Sequence, residues 1–434
     1  MQRSLYKQLL SWKDSTRRKP LVLQGARQVG KTYLLKEFGK KEYEDLAYFN
    51  FEEDPGLKAY FSSVIDPIKI LQKLEIHRGK KIQPKTSLIF FDEIQESSGA
   101  LNSLKYFCEQ ANNYHVVSAG SLLGVKVKHQ HSFPVGKVNF LQLYPLTFLE
   151  FLAVIGKIHL KHLIEELKTF EPLAEPIHSE LLVDMRLYFA IGGMPEAVFH
   201  YSKHKDLQET RLIQQELLKA YMLDFAKHAN PSDVMKIANV WESISLHLSK
   251  ENKKFVFSAV QPSARAREYE TAIQWLMDAG LVYKIKNVSK PHLPLASYAD
   301  PQAFKLYCLD VGLLAAMARL DSKTILQGDL LFTEFKGALT ENYVVQELMA
   351  IRDQALFYWT SQGKAEVDFL LELDGDIYPL EVKSGLSQKT RSLRVYDETY
   401  HPKTLSRTSV MNLKKDGGIS NYPLYCLSKF PIHD

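Results

Sequence analysis

Gly25-Ala26-Arg27-Gln28-Val29-Gly30-Lys31-Thr32 decides how the first third of this chain is read. The apolar run Leu21-Val22-Leu23-Gln24 precedes it, and Tyr33-Leu34-Leu35-Lys36-Glu37-Phe38 follows at helical spacing. A GxxxxGK[ST] loop between a strand and a helix is a phosphate cradle. The glycines let the backbone curl until its N–H groups face a polyphosphate, and the helix N-terminus adds its positive dipole end. Lys31 can reach the β and γ phosphates, and the Thr32 hydroxyl can ligand Mg²⁺. Gly25, Ala26, Arg27, Gln28, Val29, Gly30, Lys31, Thr32 and Tyr33 are therefore the expected ATP-binding residues.

The partner of this loop lies about sixty residues on. Leu88-Ile89-Phe90-Phe91 runs into Asp92-Glu93. A continuous apolar run is what a buried parallel strand looks like, and its C-terminal end opens onto the ligand crevice. Asp92 is expected to hold Mg²⁺ and Glu93 to polarise the attacking water. Further strands are expected at 47–51, 115–119 and 138–143, which with intervening helices gives a parallel doubly wound sheet. Ser121, just beyond the fourth strand, is placed to sense the γ-phosphate; the alternative is a helix N-cap.

Composition narrows the class. The chain has 434 residues, 45% hydrophobic and 24% charged, which fits a folded chain of two or three domains. No apolar run reaches the ~20 residues of a membrane span, and residues 1–19 lack the apolar centre of a signal peptide. Cys108, Cys308 and Cys426 lie far apart, with no CxxC pair for zinc or a disulfide framework. A cytoplasmic protein without a membrane partner is expected. The net charge of +5 permits a nucleic-acid partner, but any such surface must come from local clustering.

GARQVGKT (25–32), FFDEIQ (90–95), AGSLLG (119–124) and YPLTFLEF (144–151) resemble a bacterial and archaeal group of AAA-type ATPases. In that group the ATPase module is joined to a C-terminal region of unknown function, and the resemblance spans essentially the whole chain. It implies ATP and Mg²⁺ as cofactors and a helical lid over the nucleotide. AAA-type modules often place the hydrolytic site between subunits, so a homo-oligomer is a further expectation. The family usually carries Gly-Arg before the fifth strand; here it is Gly136-Lys137, and lysine lacks the bidentate fork of an arginine finger.

Residues 148–225 read as helical, broken at Ile191-Gly192-Gly193-Met194-Pro195. Beyond Pro231 come a helix at 234–248, a short strand or extended piece at 255–257, a helix at 265–279 closed by Gly280, and a strand from Leu281. A helix pair followed by a hairpin suggests a winged helix. Arg265, Arg267, Lys284, Lys286 and Lys290 surround its recognition helix and wing. Duplex DNA contact and a protein-interaction surface with a solvated basic face weigh about equally.

The last hundred residues hold a second constellation. Glu341 lies on a helix. Strands follow at 355–359, 366–373 and 377–385, the last two joined by the turn at Asp374-Gly375-Asp376. A helix holding Lys389, Arg391 and Arg394 and a strand near 409–411 come next, an αβββαβ order. Asp368 and Glu381 can meet at one edge, and Glu381 and Lys383 share a face because side chains alternate along a strand. Two carboxylates can hold Mg²⁺ while an ammonium orients water. Asp, then Glu-x-Lys after a hairpin, resembles the PD-(D/E)XK nuclease core, with Glu341 as a frequent additional member. The resemblance implies Glu341, Asp368, Glu381 and Lys383 as catalytic residues and Asp368 and Glu381 as metal ligands.

The expected fold class is thus α/β in three parts. These are an AAA-type P-loop core with helical lid (1–230), a winged-helix domain (231–320) and a PD-(D/E)XK nuclease-like domain (321–434). The expected function is a Mg²⁺-dependent ATPase acting on DNA. The alternatives are an ATP-controlled DNA-binding switch with an inert C-terminal domain, and an ATPase that remodels protein partners.

Overall fold

The computed structural model describes residues 3–432 apart from 63–65, 121–135, 263, 328–332, 362–364 and 386–389. The chain divides into two compact units, residues 1–144 with 278–280, and 145–277 with 281–434.

The first unit is built on a five-stranded sheet. Its strands are β1 (Leu21–Gln24), β2 (Asp45–Asn50), β3 (Ser87–Asp92), β4 (His115–Ala119) and β5 (Asn139–Gln142), in the order β2-β3-β4-β1-β5. Every pairing is parallel, as the apolar runs predict. All six residues of β3 are buried. Helices α1 (Tyr6–Asp14), α2 (Lys31–Glu42), α3 (Pro67–Arg78) and α4 (Ser98–Gln110) complete the layers. On one face Phe51, Phe61, Phe91 and Phe107 pack edge to face, with ring centroids 5.4–6.1 Å apart. This core anchors the C-terminal end of β3, where the acidic pair stands.

The second unit opens with helices α5 (Phe148–Val154), α6 (Ile158–Glu165), α7 (Glu175–Ile191), α8 (Pro195–His204) and α9 (Leu207–His228). Thr147 and Glu150 form a reciprocal capping box that starts α5. The sequence boundary at 230 attaches these helices to the ATPase, whereas they cluster with the C-terminal half. The reason is a buried polar network. Asp310 accepts from Gly193 N at 2.6 Å, Gln346 Nε2 donates to Tyr188 Oη at 2.8 Å, and Glu347 accepts from Phe148 N at 2.5 Å.

Next come α10 (Pro231–Leu248), α11 (Phe257–Val260) and α12 (Ala266–Asp278), then the hairpin β6 (Val282–Val288) and β7 (Ala299–Cys308). Of residues 255–257, expected as a short strand or extended piece, Val256 is extended and Phe255 donates from its N–H to Phe304 O at 2.8 Å, whereas Phe257 begins the turn of α11. Helices α13 (Val311–Met317), α14 (Ser322–Gln327) and α15 (Thr333–Arg352) follow. The remaining elements are β8 (Phe357–Thr360), β9 (Glu366–Leu373), β10 (Asp376–Val382), α16 (Arg391–Tyr400), β11 (Leu405–Ser409), β12 (Lys414–Asp416) and β13 (Ile419–Pro423).

All eight strands form one mixed sheet, β12-β13-β11-β10-β9-β8-β6-β7. The hairpin expected as the wing is therefore not separate from the C-terminal strands. β6 pairs parallel to β8 through Lys286 and Asn287, and Asn287 Nδ2 donates to Thr360 Oγ1 at 3.0 Å. Edge pairing of this kind covers what would otherwise be an exposed row of backbone donors and acceptors.

Candidate functional site

The phosphate loop of the first unit is shaped by left-handed backbone. Gly25 has φ +144° and Gly30 φ +95°, and a Cβ on Gly25 would lie 2.3 Å from Leu143 O. Only glycine fits that close approach. Gln28 is also left-handed, at φ +66°. The N-terminal segment braces the loop from outside: the buried Arg3 donates to Val29 O at 3.1 Å and to Tyr144 O.

Lys31, at the start of α2, is buried and folds back to donate to Gly25 O at 2.9 Å and Ala26 O at 2.8 Å. Burial pulls its pKa down to about 8, against the pull of Glu93 and Asp92. Thr32 Oγ1 donates to Asp92 Oδ2 at 2.9 Å, so the loop hydroxyl and the strand carboxylate meet directly. Tyr48 Oη donates to the same oxygen at 3.0 Å. Burial raises the Asp92 pKa, and the two hydroxyl donors oppose that rise.

Glu93 turns out of the strand through a left-handed residue, φ +48°, and its carboxylate accepts from Gln95 Nε2. The expected residues at 25–33, 92 and 93 thus gather at one end of the parallel sheet. Ser121 lies outside the described residues. Lys137 is ion-paired with Glu109 at 2.8 Å. Tyr48, Gln95 and Arg3 were not expected in this site. Gln95 belongs to the FFDEIQ stretch, whereas Tyr48 and Arg3 carried no sequence signal.

In the second unit, α15, β8, β9, β10, α16 and β11 follow in the expected αβββαβ order. The pairing of β9 and β10 ends at Leu380↔Phe369, the pair directly before Glu381 and after Asp368. Asp368 Oδ2 accepts from Val382 N at 2.8 Å. Glu381 pairs with Lys383 at 2.8 Å, and among the described residues its other oxygen is buried without a hydrogen-bond partner.

Glu341 has acquired cations from outside this core. Lys253 Nζ lies 2.5 Å from Oε1, and Tyr307 Oη donates to Oε2 at 2.9 Å. Lys305, on β7 and only 1% exposed, lies 2.5 Å from Glu366 and 3.9 Å from Glu341. These cations hold Glu341 below the usual carboxylate range against burial. Burial and the charge of Glu341 push Asp368 up. Among the described residues no group of three or more His, Cys, Asp or Glu is arranged to hold a metal ion. Lys253, Lys305 and Tyr307 could not be found from sequence, because they lie 34 to 88 positions from Glu341.

Comparison with known proteins agrees with the first unit. Residues 17–152 match the AAA domain family, which together with the loop geometry supports an AAA-type P-loop ATPase. Residues 182–324 and 336–427 match two domains of unknown function, DUF8612 and DUF4143. An uncharacterized protein of Methanocaldococcus jannaschii is 24% identical over 400 residues, covering 87% of this chain and 78% of its own. Among solved structures, a Walker-type ATPase of Pyrococcus abyssi aligns with 73% of this chain and 95% of its own, at 13% identity and TM-score 0.47. The Aeropyrum pernix Orc1 protein in complex with DNA aligns with 73% of this chain and 90% of its own, at 12% identity and TM-score 0.30. No helix among the described residues is long and apolar enough to cross a membrane.

Proposed function

We propose that the protein is a Mg²⁺-dependent ATP hydrolase. The observation that carries this is the 2.9 Å bond from Thr32 Oγ1 to Asp92 Oδ2, beside the buried ammonium of Lys31. A hydroxyl and a carboxylate in contact are the donor set a Mg²⁺–nucleotide needs, and the oxygen pair suits a hard cation. Bound there, Mg²⁺ would neutralise charge on the β and γ phosphates.

The chain's own residues do the rest. The N–H groups of the loop bind the phosphates. Lys31 exchanges the carbonyls of Gly25 and Ala26 for phosphate oxygens. Tyr48 orients Asp92. Glu93, held by Gln95, accepts a proton as the water oxygen bonds to the γ phosphorus and the bond from that phosphorus to the β–γ bridging oxygen breaks, releasing ADP and phosphate. Glu93→Gln tests the assignment: it keeps the shape and removes the base. ATP should still bind while turnover drops at least about 100-fold, the lower end of a general base's usual contribution. Hydrolysis at the wild-type rate would show that Glu93 is not the base.

We further infer that the ATPase acts on DNA. The order α10-α11-α12-β6-β7 is that of a winged helix, with Arg265 and Arg267 exposed at the start of α12. Lys290, at the tip of the hairpin, is exposed as well. For the C-terminal constellation, the lysines on Glu341 favour a DNA-binding switch with an inert domain over a nuclease. Two ammonium groups already neutralise Glu341, the additional acidic member of the expected nuclease set. Incubating plasmid with Mg²⁺ or Mn²⁺, with and without ATP, separates the two: cleavage lost in Asp368→Ala and Lys383→Ala would establish the nuclease.

A further inference from the structure

A cavity of about 680 Å³ lies in the second unit between α7, the start of α15 and the C-terminal segment around Leu424. Its walls include Leu182, Met185, Phe189 and Leu424, all apolar. Arg186 and Lys336 also line it. Such a volume, with apolar walls and few polar groups, is typical of small-molecule sites.

The charges make the cavity specific. Arg186 is exposed and Lys336 partly buried, and among the described residues neither has a carboxylate or hydrogen-bond partner for its side chain. Burial, and then the charge of Arg186, pull the Lys336 pKa down, so the two cations are near enough to repel. Lys336 lies in the first turns of α15. Among the described residues the one carboxylate lining the cavity, Glu175, accepts from Ser179 at 3.3 Å. His178 is hydrogen-bonded to Tyr425 Oη at 2.7 Å, and burial pulls its pKa down. A half-buried ammonium beside a second positive charge is unfavourable, and an anion between the two relieves it.

We propose that this cavity binds a small amphipathic anion, with a carboxylate, sulfonate or phosphate-monoester head between Arg186 and Lys336 and an aliphatic or aromatic body against Leu182, Met185 and Phe189. The site is independent of the phosphate loop. Ser384 and Gly385, which follow Lys383, and Thr340, which precedes Glu341, also line it. Occupancy therefore touches the segments that carry the C-terminal constellation.

The test uses the full chain with its phosphate loop filled by MgADP and, as probe, the aromatic sulfonate 8-anilinonaphthalene-1-sulfonate. Saturable, one-site fluorescence enhancement is expected. Arg186→Gln/Lys336→Gln should weaken it at least about tenfold, the equivalent of one lost ion pair of ~1.4 kcal/mol. Met185→Trp, which narrows the apolar wall and keeps both charges, should also weaken it. If the double variant does not fold, Arg186→Gln alone, at an exposed side chain, should weaken binding about threefold or more, since each 1.4 kcal/mol is tenfold. Displacement of the probe by decanoate would assign an aliphatic carboxylate, and displacement by AMP a nucleotide. Displacement by neither, non-saturable binding, or affinity unchanged in the variants would overturn the proposal.

Discussion

Replacing Lys305 with methionine tests whether the C-terminal constellation is held by protein cations. Methionine preserves most of the side-chain volume, so the change removes charge rather than packing. Breaking a buried ion pair by removing one partner costs about 3–5 kcal/mol. Two features lower that figure here. Glu366 is 33% exposed and can turn to water, and Glu341 retains Lys253 at 2.5 Å and Tyr307 at 2.9 Å. About 2–3 kcal/mol of local stability should be lost, chiefly because Asp368 and Glu341 then repel with less screening. Unfolding of a chain with two units is not a single transition, so the assay is hydrogen–deuterium exchange of peptides from β7 and β9. Their exchange should accelerate about 30- to 150-fold, at 1.4 kcal/mol per decade. Millimolar Mn²⁺ should restore protection in Lys305→Met by supplying the missing cation, and should leave the wild type unaffected. Acceleration below about threefold, where 1.4 kcal/mol would already give tenfold, would refute the reasoning. So would Mn²⁺ protection of the wild-type peptides.

Gln95→Ala, which removes the Gln95 bond to the Glu93 carboxylate, should lower kcat about tenfold with KM unchanged, since a base's contribution depends on its placement. An unchanged kcat would refute the positioning role of Gln95. Charge reversal of Arg265 and Arg267 to Glu should weaken duplex binding and flatten the salt dependence by about one unit of slope per lost phosphate contact; an unchanged slope would move α12 to a protein-binding role. Burial raises the Glu347 carboxyl to about 8, so the folded state holds a proton that the unfolded chain releases. The stability this group contributes is therefore lost as pH rises from its ordinary range through 8. Glu347→Gln should match the wild type near pH 5 and melt higher at pH 9, by up to about 4 kcal/mol. Parallel pH profiles of Tm would contradict this.

The phosphate loop could be read from the sequence because each part of it is local. Glycine at 25 and 30, Lys31 and Thr32 lie within eight residues, and a buried parallel strand shows itself as an unbroken apolar run into Asp92. The strand and helix order of the C-terminal half was legible for the same reason, since alternation along β9 and β10 and the Asp374-Gly375 turn are short-range signals. Only the tertiary structure decided which charges meet. Lys253 and Lys305 approach Glu341 across long stretches of chain, because the β6–β7 hairpin adds to the edge of the C-terminal sheet through β8. Backbone pairing at a sheet edge is nearly indifferent to side-chain identity, so no residue pattern announces it. The same holds for Tyr48 on Asp92 and for the cavity between Arg186 and Lys336. Each is created by packing distant segments, and the sequence records the groups but not their meeting.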